Sequence, residues 1–193
     1  MVYFLFDETH REWIDSKIAE AIYTGIMTDT GSFRFDSVGP HTHEVAANLM
    51  RLGGINTSSI HEKVYDTFTM NQLKLISAVL NQVKLHKDTG IAYLYVTEKN
   101  LEETETTYQE IEGLIDYALS LKDADVAIIF SERYGEVKMS FRSKTDFDVN
   151  VLARKFDGGG HQKASGGWHQ GPLEKAIEDV LTEAEKMVGT LKA

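Results

Sequence analysis

Three consecutive glycines, Gly158, Gly159 and Gly160, constrain this chain more than any other feature, because ordering glycine costs more backbone entropy than ordering any other residue. A folded chain keeps such a run for a backbone reason. The run continues as His161-Gln162-Lys163-Ala164-Ser165-Gly166-Gly167. It reads as a turn with positive φ whose N–H groups face outward and cradle an anion. His161 stands where a donor completes the grip, and the small residues after it leave room for a ligand against the backbone. A phosphate or a nucleotide is the ligand class that suits this pattern.

Charge narrows the class further. The 193 residues carry a formal net charge of −10, which argues against a protein that coats long nucleic acids. Residues 131–169 nevertheless hold seven Lys/Arg against five Asp/Glu, and this locally basic segment contains the glycines. An acidic body with one basic site fits a small phosphorylated ligand better than a long polyanion. The chain is 42% hydrophobic, enough for one good core or two small ones. Cysteine is absent, which excludes disulfides and thiolate chemistry and is compatible with a reducing cytoplasm. No apolar run approaches the ~18 residues of a membrane span, and the start, MVYFLFDETHREW, reads as a poor signal peptide.

Periodicity divides the chain into a helical segment and an α/β segment. Helices are expected over 16–28, over 42–52 with Thr42 as N-cap, from Asn56 or Thr57 to about Tyr65, and over 71–85. A strand at 90–97, a helix at 108–121 and a strand at 125–131 follow. Glu136–Lys144 alternates cleanly, with Val137, Met139 and Phe141 on one face and Lys138, Ser140, Arg142 and Lys144 on the other. Tyr134-Gly135 suggests a hairpin. A helix at 148–156 precedes the glycines, a short strand at 167–169 follows them, and a helix at 172–188 closes the chain. The expected domains are 1–86 and 87–193.

Several residues carry chemistry. Asp29 follows the first helix, where a carboxylate faces the negative end of the dipole. A cation or donors from Thr28, Thr30 and Ser32 would reverse that, although a turn Asp bonding its own backbone is the simpler reading. Arg34 reaches a nearby phosphate or lies on the surface. Arg142 offers a guanidinium fork from the polar face of a strand, whereas Lys138 and Lys144 read as solvated. His41 and His43 read as surface residues flanking an N-cap. Trp168 and Phe156 stack on a base or, the safer choice, pack in the core.

GGGHQKASGG resembles the signature of the DHH-associated domain, the C-terminal substrate-binding domain of DHH-family phosphoesterases. Thr28-Asp29-Thr30-Gly31-Ser32-Phe33-Arg34 resembles the last of the four metal-binding motifs of the preceding DHH domain. Glu112-Gly113-Leu114-Ile115-Asp116-Tyr117 and Phe141-Arg142-Ser143-Lys144 fit in order and spacing. The resemblance covers essentially the whole chain and looks closest to the branch that degrades very short RNA and dephosphorylates pAp. It implies an α/β fold, with the C-terminal helical remainder of a DHH domain followed by a DHH-associated domain whose mixed sheet is flanked by helices. It also implies Asp29 as a ligand to one of two manganese ions, and Arg34, Arg142, Ser143, Gly158, Gly159, Gly160 and His161 as substrate-binding residues.

Of the family's metal motifs (HxxxDxD, a later Asp, DHH and a final Asp) only the last is present, at Asp29. The chain is therefore expected to be the C-terminal portion of such an enzyme and inactive alone. A short RNA or nucleoside phosphate is the expected partner, with a homodimer and a cytoplasmic location also expected. The alternatives are a non-catalytic module for nucleotides or RNA ends, and a structural fragment. As substrates, pAp, nanoRNA, cyclic-dinucleotide products and short polyphosphate all remain open.

Overall fold

A computed structural model describes residue 3, residues 10–35 and residues 37–192. The chain forms two compact units, Met1–Phe68 and Thr69–Ala193.

In the first unit, α1 spans Ser16–Asp29, α2 Pro40–Gly53 and α3 Thr57–Tyr65. Asp15 caps α1 by accepting the Ile18 N–H at 2.8 Å. Ala19, Tyr23 and Met27 recur every fourth residue and are buried with Val45, Ala46 and Leu49 of α2 and Ile60 of α3, so one apolar stripe per helix builds this core. α2 begins at Pro40 with Gly39 as N-cap, ahead of the expected Thr42. Proline at the first helical position has no N–H to leave unpaired, and the Thr42 N–H already donates to the Gly39 carbonyl at 3.0 Å. Asn56, one of two expected caps, accepts the Ser59 N–H at 3.1 Å and opens α3.

The second unit contains α4 (Met70–Leu80), β1 (Lys84–His86), β2 (Ile91–Val96), α5 (Glu98–Thr104), α6 (Leu114–Leu119), β3 (Val126–Arg133), β4 (Glu136–Ser143), α7 (Val149–Arg154), β5 (Gly159–His161), β6 (Ala164–Gln170) and α8 (Leu173–Lys192). The division at 68/69 places α4 and β1 with the sheet, whereas the expected boundary at 86 put them with the preceding helices. The long helix expected to Leu85 stops at Leu80, and Lys84–His86 instead pairs with β2. The helix expected over 108–121 breaks at Gly113, whose φ of 84° leaves the helical region. α5 was not foreseen; it is seven residues long and opened by a Thr97/Asn100 capping box.

The six strands form one mixed sheet in the order β1-β2-β3-β4-β6-β5. β2 and β3 run parallel, joined across α5 and α6, and every other pair is antiparallel. One face buries Phe130, Met139 and Phe141 under Leu152 of α7 and Ala176 and Val180 of α8. The other buries Ala92, Leu94, Ala127 and Ile129 under Leu75, Leu101, Leu114 and Ile115. Among the described residues this second cluster takes nothing from β4, β5 or β6. The apolar cover stops at β3, and half of that face lies open.

An ion-pair cluster ties α7 to α8. Lys155, which follows α7, and Lys186 each lie 2.7 Å from the Glu183 carboxylate. Lys155 first, then Lys186, pulls the Glu183 carboxyl down to about 2 from its ordinary 4.5. A depressed carboxylate pKa stabilises the fold fully above the unfolded value, and that contribution is lost as pH falls through the folded value. In thermal melts, Glu183→Gln should lower the midpoint at pH 7. That difference should fade from about 4.5 downward and be gone below about 2; a difference that persists below pH 2 would contradict the assignment.

Candidate functional site

The alternation expected of β4 is present: Val137, Met139, Phe141 and Ser143 are buried, and Lys138, Ser140 and Arg142 face the other way. Register carries this pattern across the sheet. Arg142 lies opposite Ala164 on β6, and Ala164 lies opposite His161 on β5. Directly paired residues project to the same side. Arg142, Ala164 and His161 therefore form one row on the open half-face, with a single methyl group between cation and imidazole. Two strand spacings separate the ends of the row by about 10 Å. The next row along is Ser140, Gly166 and Gly159, and the one after is Lys138 and Trp168.

Arg142 is half-buried and donates through Nη1 to the Phe141 carbonyl at 3.1 Å. It forms no ion pair with a carboxylate among the described residues, so most of its five donors remain available to an anion. His161 is exposed.

The glycines divide by function. A Cβ on Gly158 would lie 2.0 Å from the Gly166 carbonyl oxygen. One on Gly160, at φ 148°, would lie 2.7 Å from the Ala164 carbonyl oxygen. These two are glycine because β5 packs directly on β6. Gly159 differs, since its nearest neighbour would be Asn150 Oδ1 at 3.8 Å. Nothing in the fold requires that position to be bare, and it is exposed. The expected positive-φ turn is thus an edge strand, and the chain reverses instead at Gln162-Lys163. Asn150 escaped the sequence reading. Its Oδ1 is buried without a hydrogen-bond partner among the described residues, beside Gly159.

Not every expected residue joins this face. Ser143 is 6% exposed and belongs to the buried set of β4. Its hydroxyl donates to the Thr145 carbonyl at 3.1 Å and accepts the Thr145 N–H at 3.1 Å, closing a local turn. Lys144 Nζ donates to the Leu121 carbonyl at 2.9 Å. Lys138 stays exposed, and Trp168 is half-buried outside both apolar clusters of the sheet unit. The sequence does carry a signal for Trp168: Ala164, Gly166 and Trp168 alternate, and the strand expected over 167–169 spans seven residues, Ala164–Gln170.

Asp29 and Arg34 lie in the first unit. Asp29 ends α1 and is exposed. The neighbouring hydroxyls do not serve it. Thr28 donates to the Thr24 carbonyl at 3.0 Å and Thr30 to the Ile26 carbonyl at 2.7 Å, while Thr30 Oγ1 accepts the Phe33 N–H at 3.1 Å. Gly31, Ser32 and Phe33 then follow with φ of 56°, 59° and 63°. Each of the two non-glycine residues in this left-handed region costs ~1–3 kcal/mol. Arg34 Nε donates to the Gly31 carbonyl at 2.7 Å and ties the turn. His43 stacks on Phe33 at 5.5 Å, and His41 lies 3.5 Å from Glu44. Among the described residues no three His, Asp or Glu side chains gather to hold a metal ion. Asp29 offers a single carboxylate, and divalent cations take several ligands, so the described residues do not by themselves fit the manganese pair.

The sequence model of the DHHA1 domain family matches residues 88–190. The bifunctional oligoribonuclease and PAP phosphatase NrnA of Bacillus subtilis (strain 168) is 32% identical over 168 residues, covering 86% of this chain and 52% of that protein. Its namesake from Thermus thermophilus is 31% identical over 182 residues, covering 94% and 54%. This chain spans about half the length of these curated relatives. Among solved structures, an exopolyphosphatase-related protein from Bacteroides fragilis matches with a TM-score of 0.92 at 32% identity, over 100% of this chain and 57% of that one. No helix among the described residues is long and apolar enough to cross a membrane.

Proposed function

Because this chain belongs to the DHHA1 domain family, we propose that its sheet unit holds the phosphate of a short oligoribonucleotide or of pAp on behalf of a phosphoesterase. The observation that carries the reading is the row of Arg142, Ala164 and His161 on the open half-face, beside the bare backbone of Gly159. A guanidinium whose donors are largely unspent, and an exposed imidazole about 10 Å across the sheet, converge on an anion lying over the alanine methyl. Arg142 supplies the charged fork. His161 supplies a single donor from the edge strand.

The names of the Bacillus and Thermus relatives supply the substrate class. Hydrolysis itself would need the manganese pair to activate water and stabilise charge on phosphorus; Asp29 would be one ligand. Since the described residues provide no further ligand cluster, this chain is expected to bind without hydrolysing. Calorimetry with AMP and with pAp should give measurable heat at millimolar ligand. With manganese present, turnover of pAp should stay far below ~1 per second. Absence of heat would overturn the binding role, and ordinary turnover would overturn the expectation of inactivity.

A further inference from the structure

We propose that Trp168, with Lys138 beside it, forms a nucleobase-stacking subsite on the open half-face, a second station for the ligand whose phosphate lies between Arg142 and His161. The inference rests on the phosphate assignment above and adds what that assignment leaves undetermined: where the rest of the ligand goes. Trp168 is paired with Lys138 on β4, whose side chain is exposed on the face that carries Ser140 and Arg142. The indole therefore projects to that face and not into the core beneath. It belongs to neither apolar cluster of this unit. It makes no hydrogen bond or ring contact with the described residues. A half-buried indole with no aromatic partner among the described residues, on a surface bearing cations, suits a base, since stacking is tolerant of base identity.

Spacing supports the pairing of the two stations. Trp168 lies four residues along β6 from Ala164, about 13 Å between backbones; an extended nucleotide covers most of that span, and the reach of the Arg142 and Trp168 side chains covers the rest. The row between them is Ser140, Gly166 and Gly159. This floor is low enough for a ribose to pass over. Lys138 adds a positive charge with no carboxylate partner among the described residues, complementary to a polyanionic ligand.

The chain has two tryptophans, and Trp13 belongs to the first unit. In a Trp13→Phe background, Trp168 emission reports on its own surroundings. Titration with AMP should quench it, and ribose 5-phosphate, which carries the same phosphate without a base, should not. By calorimetry, Trp168→Leu should weaken AMP about 5- to 100-fold and leave ribose 5-phosphate unchanged. The proposal is overturned if AMP binds without altering the emission, or if Trp168→Leu weakens both ligands equally. The emission measurement leaves Trp168 in place, so a leucine variant that fails to fold does not blunt the test. Adenosine separates the two assignments. If neither phosphate ligand binds, quenching by millimolar adenosine sinks the phosphate row and keeps the stacking subsite. No quenching by any of the three sinks the subsite.

Discussion

Arg142→Ala should weaken AMP binding about 10- to 100-fold, the value of one charge-assisted hydrogen-bonding group at ~1.5–3 kcal/mol. Folding should barely change. Among the described residues the guanidinium donates only to the Phe141 carbonyl, the next residue back on its own strand, so no distant described element depends on it. His161→Ala should act in the same direction. The double variant should lose less than the product of the two, because both residues are assigned to one ligand group. Lys144→Ala is the control. Its ammonium is committed to the Leu121 carbonyl, so the expected cost is in stability and not in affinity. Calorimetry on the four proteins, with melting curves beside it, decides the matter. Unchanged affinity in Arg142→Ala would return that residue to an ordinary surface role.

Adjacent glycines should behave in opposite ways. Gly158→Ala would place a methyl 2.0 Å from a backbone carbonyl oxygen and 2.5 Å from the Gly167 Cα. Backbone cannot swing aside as a flexible side chain can, so the strain belongs at the top of the overpacking range, about 3 kcal/mol or more. For a chain of this size that lowers the melting midpoint by roughly 6–12 °C. Gly159→Ala meets nothing nearer than 3.8 Å. Its stability should stay within about 0.5 kcal/mol, while AMP binding falls about tenfold, equivalent to ~1.4 kcal/mol, because the methyl stands where the ligand meets the backbone. If Gly159→Ala bound AMP normally, its bareness would have no bearing on the ligand.

These contrasts show what could be read from residue order and what could not. The two faces of β4 were legible because alternation is local: Val137, Met139 and Phe141 announce the buried side and thereby fix where Arg142 points. The glycine segment was legible as a backbone requirement, but its shape was not. What forbids a side chain at Gly158 is the carbonyl of Gly166, a cross-strand neighbour that no local pattern reveals. Val83 extends the apolar stripe of Leu73, Ile76 and Leu80, so a helix running on to Leu85 was a natural expectation; the pairing of Leu85 with Ala92 made that end a strand. The hydroxyls around Asp29 misled for a related reason. Thr28 and Thr30 sit in and just past the last turn of a helix, and there a hydroxyl finds the carbonyl four residues back before it finds a neighbour's carboxylate.

The sheet ends on both sides in strands of three residues, β1 and β5. Open sheet edges are templates for unwanted pairing between molecules, and brevity is one of the ways proteins blunt them. β5 is blunted twice over, since two of its three residues are glycine, which weakens a strand and gives an incoming chain no side chain to pack on. The bare backbone to which we assign a small ligand thus also denies a second copy of the protein a foothold for extending the sheet into an aggregate.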